Sequence, residues 1–147
     1  MILQKEIRQL AISWDVPPDT VDKDYVLGHF LAGCHHHFGD QLIFKGGTCL
    51  RKCYFPNYRF SEALDFSSRA GDFELTDGLI QQVCQNIQDH CGIRFHSEGI
   101  EPLLHNDQLK GYQVKIRYWG VNHSKNEPDL QRNLISITKY QNWYMFR

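Results

Sequence analysis

Two short segments carry residue types whose spacing could support chemistry. The first is Phe44-Lys45-Gly46-Gly47-Thr48-Cys49-Leu50-Arg51-Lys52. Glycines between a strand and a helix let the backbone approach an anion closely, and a helix N-terminus turns free N–H groups and a positive dipole toward it. Thr48 can add a hydroxyl, while Arg51 and Lys52 add charge. The spacing is not that of the P-loop, because G-x-x-x-x-G-K-[ST] is absent. A plain tight turn with a helix cap also accounts for Gly-Gly-Thr taken alone. The second segment is Arg59-Phe60-Ser61-Glu62-Ala63-Leu64-Asp65-Phe66. In a strand, Ala63 and Asp65 share one face, and Glu62 and Leu64 share the other. Acids at both 63 and 65 would make a paired-carboxylate site for Mg²⁺, which favours oxygen ligands and substrate phosphates. Here only Asp65 is present, and a lone Asp near a strand end also serves as a turn or surface residue.

Three other features invite weaker readings. Cys34-His35-His36-His37 contains metal-ligating types, with Cys34 and His37 at helical i, i+3 spacing, yet adjacent histidines on a helix diverge. Cys49 and Cys53 lie four apart on the helix after the glycines and could seat a soft metal, but no third ligand is evident, and core packing explains them. Arg51, Lys52, Arg59 and Arg69 cluster in sequence beside Tyr54, Tyr58 and Phe60, as a nucleotide or single-stranded RNA surface would have it. A solvated basic face has the same composition.

The elements that must position these residues follow from periodicity. Apolar spacing predicts a helix over residues 2–12, broken at Val16-Pro17-Pro18. A second helix, capped by Asp19 or Thr20, carries Val26, Leu27, Phe30, Leu31, Cys34 and Phe38 on one stripe and ends at Gly39. A short strand over 41–44, a Gly46-Gly47 turn and a helix from Thr48 to Tyr54 come next, then a second strand through Asp65 and a polar stretch over 72–75. Thr76 or Asp77 caps a third main helix that stops at Gly92. Residues 93–100, 112–119 and 133–138 read as strands, and 120–132 as a polar loop.

Length and composition set the outer limits. The 147 residues suit one domain, and 41% hydrophobic with 22% charged residues is ordinary for a packed globular chain. A net charge of −1 excludes a whole-molecule basic field for nucleic acid or anionic membrane, although a local basic patch remains open. No apolar run approaches a membrane span, and the N-terminal residues lack a signal peptide's apolar core, so the sequence predicts a cytoplasmic protein with no membrane partner. Five cysteines without C-x-x-C suit reduced, core-packed thiols. The terminal run Trp143-Tyr144-Met145-Phe146 asks for a packing partner.

Taken together, the strand, the Gly-Gly-Thr turn, the helix with Leu-Arg-Lys and the Asp65 strand resemble a nucleotidyltransferase fold. More narrowly, FKGGTCLRKCYFPNYRFSEALDF resembles the AbiEii/AbiGii toxin family of toxin–antitoxin and phage-defence systems. The likeness extends upstream through residues 21–27 and downstream through 112–120 and 135–141. It implies an α+β fold, a small mixed sheet flanked by helices, forming one domain over 1–147 without the family's C-terminal helical region. It also implies transfer of a nucleoside monophosphate from a nucleoside triphosphate to an RNA, tRNA included, or to a protein acceptor. By resemblance, Gly46, Gly47 and Thr48 would cradle the triphosphate, Arg51 and Lys52 would bind it, Lys52 and Asp65 would act in catalysis, and Asp65 would bind Mg²⁺. A cognate antitoxin would be a partner. Three acids of the family pattern are replaced, by Ala63, Ser136 and Gln141, and the later Lys-Asp motif has no match. Those departures imply the alternative of a catalytically degenerate relative acting as a nucleotide-binding or interaction module.

Overall fold

The computed structural model describes residues 1–61, 63–121 and 132–138, the last of these as backbone alone. Helix α1 (Gln4–Trp14) leads into α2 (Pro18–Phe38), then strand β1 (Leu42–Lys45). Helix α3 (Gly46–Cys49) continues without a break into a π-helical turn, Leu50–Tyr54. Strand β2 (Ala63–Ser68), helix α4 (Asp77–Cys91), the long hairpin β3 (Arg94–His105) and β4 (Gln108–Trp119), and strand β5 (Arg132–Thr138) complete the described chain. The five strands form one sheet in the order β1-β2-β5-β4-β3, in which β2 and β5 are parallel and the other pairs antiparallel. An α+β arrangement with a small mixed sheet is therefore what forms.

Side-chain alternation decides which face of the sheet is covered. Along β2, Leu64, Phe66 and Ser68 are buried while Ala63, Asp65 and Ser67 are only partly so. Leu64 and Phe66 join Val26, Leu27, Phe30 and Cys34 of α2, and Ile80, Val83 and Ile87 of α4, in one core. Val114, Ile116 and Tyr118 extend it along β4. Helices α2 and α4 meet closely at Gly33, where a Cβ would overlap Ile87. A second small cluster, Ile7, Ala11 and Val21, fastens α1 to the start of α2. Burial pushes the Cys84 thiol up to about 11 and raises Cys34 further in the same direction, as expected of thiols packed in a core.

Several boundaries differ from the sequence reading for identifiable reasons. Helix α2 begins at Pro18, with Pro17 as its N-cap, so the Pro-Pro pair starts the helix as well as separating it from α1. Residues 72–75 are less polar in effect than in composition, since Phe73 and Leu75 are buried. The hairpin runs five residues further on β3 and four on β4 than alternation indicated, turning at Asn106 and Asp107, both at positive φ. Cys53 is exposed and does not pack in the core. Gln141, the run 143–146 and most of the polar loop over 120–132 lie outside the described residues.

Candidate functional site

Sheet register delivers the glycine turn to Asp65. Lys45 pairs with Asp65 across β1 and β2, so the next residue, Gly46, arrives beside the carboxylate. The approach requires glycine, because Gly46 has φ +81° and a Cβ there would stand 2.5 Å from Asp65 Oδ2. A Cβ on Gly47 would lie 3.5 Å from Ser61 Oγ and 3.9 Å from an Arg59 Nη. The two glycines are thus bordered by a carboxylate on one side and by a hydroxyl and a guanidinium on the other. The helix begins at Gly46, two residues earlier than expected, so both glycines belong to its first turn.

The groups expected to bind phosphate are largely committed elsewhere. Thr48 is 2% exposed, and its hydroxyl donates to Ala63 O at 2.6 Å, which pins the helix start to β2 and takes that hydroxyl out of the turn. The Arg51 guanidinium donates from Nη1 to Pro56 O at 2.9 Å and Tyr58 O at 2.6 Å, and lies over the Phe60 ring at 3.6 Å. It therefore shapes the loop leading into β2. The Lys52 ammonium pairs with Asp24 Oδ1 at 3.1 Å and donates to Asp24 O at 3.2 Å, bracing α2. In this structure these three groups are engaged by partners within the protein. Gly46, Gly47 and Asp65 are brought together as expected, and Arg59 and Ser61 join them.

The acid positions converge in space even though the acids are missing. Positions 63 and 65 share a face of β2, and register sets position 136 of β5 beside Asp65. In this chain the three positions hold Ala63, Asp65 and Ser136. Glu101 belongs to the same row, Asp65, Ser136, Gln113, Glu101, but three strand spacings, about 14 Å, separate it from Asp65. It pairs with Lys115 instead, at 3.0 Å. Asp72 and Glu74 follow the Ser68 end of β2, where Phe73 packs on Phe38, and so leave the strand at the end away from Gly46. Among the described residues no three His, Cys, Asp or Glu side chains gather to hold a metal ion. Among the described residues Asp65 is the one acid at these three positions.

Residues 29–137 match the family described as nucleotidyl transferase AbiEii toxin, type IV toxin–antitoxin system. The chain belongs to the AbiEii family. No curated protein sequence matches it. One solved structure, of a candidate nucleotidyltransferase from H. pylori, is similar at 23% identity and a TM-score of 0.47, over 76% of this chain. The chain spans 44% of that protein. No helix among the described residues is long and apolar enough to cross a membrane.

Within this AbiEii chain the remaining sequence features resolve separately. Cys34 points into the core, while His29, His36, His37, His90 and Cys91 border a cleft of about 510 Å³ between α2 and α4. Burial lowers the His29 pKa, assisted by the N-terminal amine and His90. Burial raises the Cys49 pKa, and the neighbouring Cys53 thiol adds to the effect. Trp14 is the residue that sequence reasoning passed over: it ends α1 and its ring lies 5.7 Å from Phe60. Nothing local in the sequence links positions 14 and 60, so only the fold could reveal that contact.

Proposed function

We propose that this chain is an AbiEii-family module that holds the phosphates of a nucleoside triphosphate at the Gly46–Gly47 turn but does not by itself transfer the nucleotidyl group. The observation that carries this reading is Asp65 beside Gly46, the one carboxylate against the turn among the described residues, with Ala63 and Ser136 at the adjoining acid positions. Attack of an RNA or protein hydroxyl on the α-phosphate, with pyrophosphate leaving, develops negative charge that must be neutralised where it forms. One carboxylate cannot fix an ion in place for that task. It can meet an Mg²⁺ that arrives already bound to the triphosphate, since that ion takes one or two carboxylates and keeps its phosphates and waters. The backbone of Gly46 and Gly47 then approaches the phosphates without a Cβ in the way, and Arg59 faces the turn as the cation. Membership of a type IV toxin–antitoxin family supports a cognate antitoxin as partner.

Two measurements test the reading. Calorimetric titration of the full chain with each magnesium nucleoside triphosphate is expected to give binding; no heat with any of the four would remove the phosphate cradle. Incubation with α-labelled triphosphates and bulk tRNA or protein is expected to transfer no label. Labelled product would restore the chain to the active transferases.

A further inference from the structure

The residues that border the cleft between α2 and α4 fall on one stripe of each helix. On α2 the stripe runs through His29, Gly33 and His36, and on α4 through Val83, Ile87 and His90, each spaced by three or four residues. The two backbones come closest where a Cβ on Gly33 would overlap Ile87, and the side chains beyond that point line the opening. His29 and His90 interact across one end, where the N-terminal amine also approaches His29. The Tyr25 ring lies edge-on to His29 at 4.7 Å. His36 and His37 stand about 10 Å further along, seven or eight residues at 1.5 Å each.

Among the described residues, the ionisable groups bordering this cleft are imidazoles and the Cys91 thiol, with no Asp, Glu, Lys or Arg. Asp89, next to His90 on α4, accepts a hydrogen bond from Gln85 Nε2 at 2.8 Å. Imidazoles hold either a metal ion or an anion, and no three His, Cys, Asp or Glu side chains of the described residues gather for a metal. An anion needs less: a neutral imidazole offers it one N–H, and an imidazolium offers two and a charge. Ala32, Val83 and Ile87 supply an apolar lining between the histidines. The volume of about 510 Å³ falls within the roughly 300–1,000 Å³ of small-molecule sites. The cleft belongs to the helical layer that covers Leu64 and Phe66, whereas Asp65 lies on the other face of the sheet.

We propose that the α2–α4 cleft binds a small organic anion with an apolar body, its acidic head between His29 and His90 and its body along Ala32, Val83 and Ile87. In the free protein, burial, the N-terminal amine and His90 all lower the His29 pKa. A bound anion favours the imidazolium and raises that pKa again, so binding takes up protons and tightens as the pH falls.

The test uses two fluorescent probes with nearly the same ring body, anilinonaphthalene sulfonate, which stays ionised throughout, and uncharged phenylnaphthylamine. The full chain is expected to bind the sulfonate several-fold more tightly at about pH 5.5 than at about pH 7.5, up to about tenfold for one imidazole pKa raised by one unit. Phenylnaphthylamine is expected to bind equally at both. His90→Gln, at an exposed position, should remove most of the pH dependence and leave phenylnaphthylamine binding unchanged. Ala32→Trp, also exposed, fills the cleft and should weaken both probes. Magnesium ATP should displace neither. In the parent chain the His29 ring-proton resonance should titrate at higher pH with the sulfonate bound, a readout that needs no variant. Sulfonate affinity independent of pH, an unmoved His29 titration, or full binding by Ala32→Trp would overturn the inference. Displacement of the sulfonate by magnesium ATP would overturn it too, by placing the probe at the glycine turn.

Discussion

On the face of β2 that meets α2 and α4, Leu64 and Phe66 are at most 3% exposed and belong to a continuous core. On the opposite face, Ala63 and Asp65 are partly exposed and stand beside position 136, where a paired-acid site would be assembled. One face of the strand is complete and the other holds a single acid. Because side chains of a strand alternate, substitutions at 63 and 136 leave the packing at 64 and 66 untouched. A fold can therefore keep its scaffold while its chemistry is thinned, which is why fold and activity must be argued separately.

The largest effect expected from breaking this contrast is on the covered face. Leu64→Ala removes a fully buried side chain and should cost about 3 kcal/mol, read as a lowered urea midpoint. A loss below about 1 kcal/mol, the range of surface substitutions, would mean that the two faces do not differ as described. The glycine turn comes next. Gly46→Ala forces a side chain into a left-handed conformation and against Asp65, and should cost about 1–2 kcal/mol. Gly47→Ala meets only ordinary contacts, so stability should stay within about 0.5 kcal/mol of the parent while tripolyphosphate binding weakens. Equal destabilisation by both changes would remove the special role of Gly46.

Lys52→Ala also ranks below Gly46→Ala. Its ammonium is about four-fifths covered and paired with Asp24, so its loss should cost about 1 kcal/mol or less. Tripolyphosphate affinity should not change, since the charge is directed at α2. A fall in affinity without a fall in stability would return Lys52 to the phosphate site.

How much of this was legible in the sequence depended on whether the deciding interaction was local. Helix α4 was, because Thr76 accepts a hydrogen bond from Leu79 N at 3.2 Å and Gly92 closes the other end at φ +76°, both read directly from residue types. The glycine turn beside the Asp65 strand was legible as well. The extended half of the β3–β4 hairpin was not, since Glu101-Pro102-Leu103-Leu104-His105 has no alternation, and its ladder is imposed by pairing with β4. The directions of Arg51 and Lys52 were also hidden. Adjacent on one helical stretch, they reach for carbonyls of the following loop and for α2, partners that only tertiary structure supplies.

A small expected effect on stability accompanies the largest expected change in chemistry. In Ala63→Asp, Ser136→Asp the new acids share the open face with Asp65, one two residues along β2 and the other in register on β5. Like charges at neighbouring sheet positions repel by up to about 1 kcal/mol, so without metal the variant should unfold slightly earlier than the parent. Divalent metal should reverse that order, because three converging carboxylates gain more from an ion than one does, and binding to the folded state alone raises stability by mass action. The measurement is the thermal midpoint with and without millimolar Mg²⁺ or Mn²⁺. A metal-dependent rise confined to the variant would show that the open face retains the geometry of an acid site and lacks only the acids. An equal response in the parent would instead mean that Asp65 already shares its ion with other groups, and the contrast between the two faces of β2 would lose its chemical half.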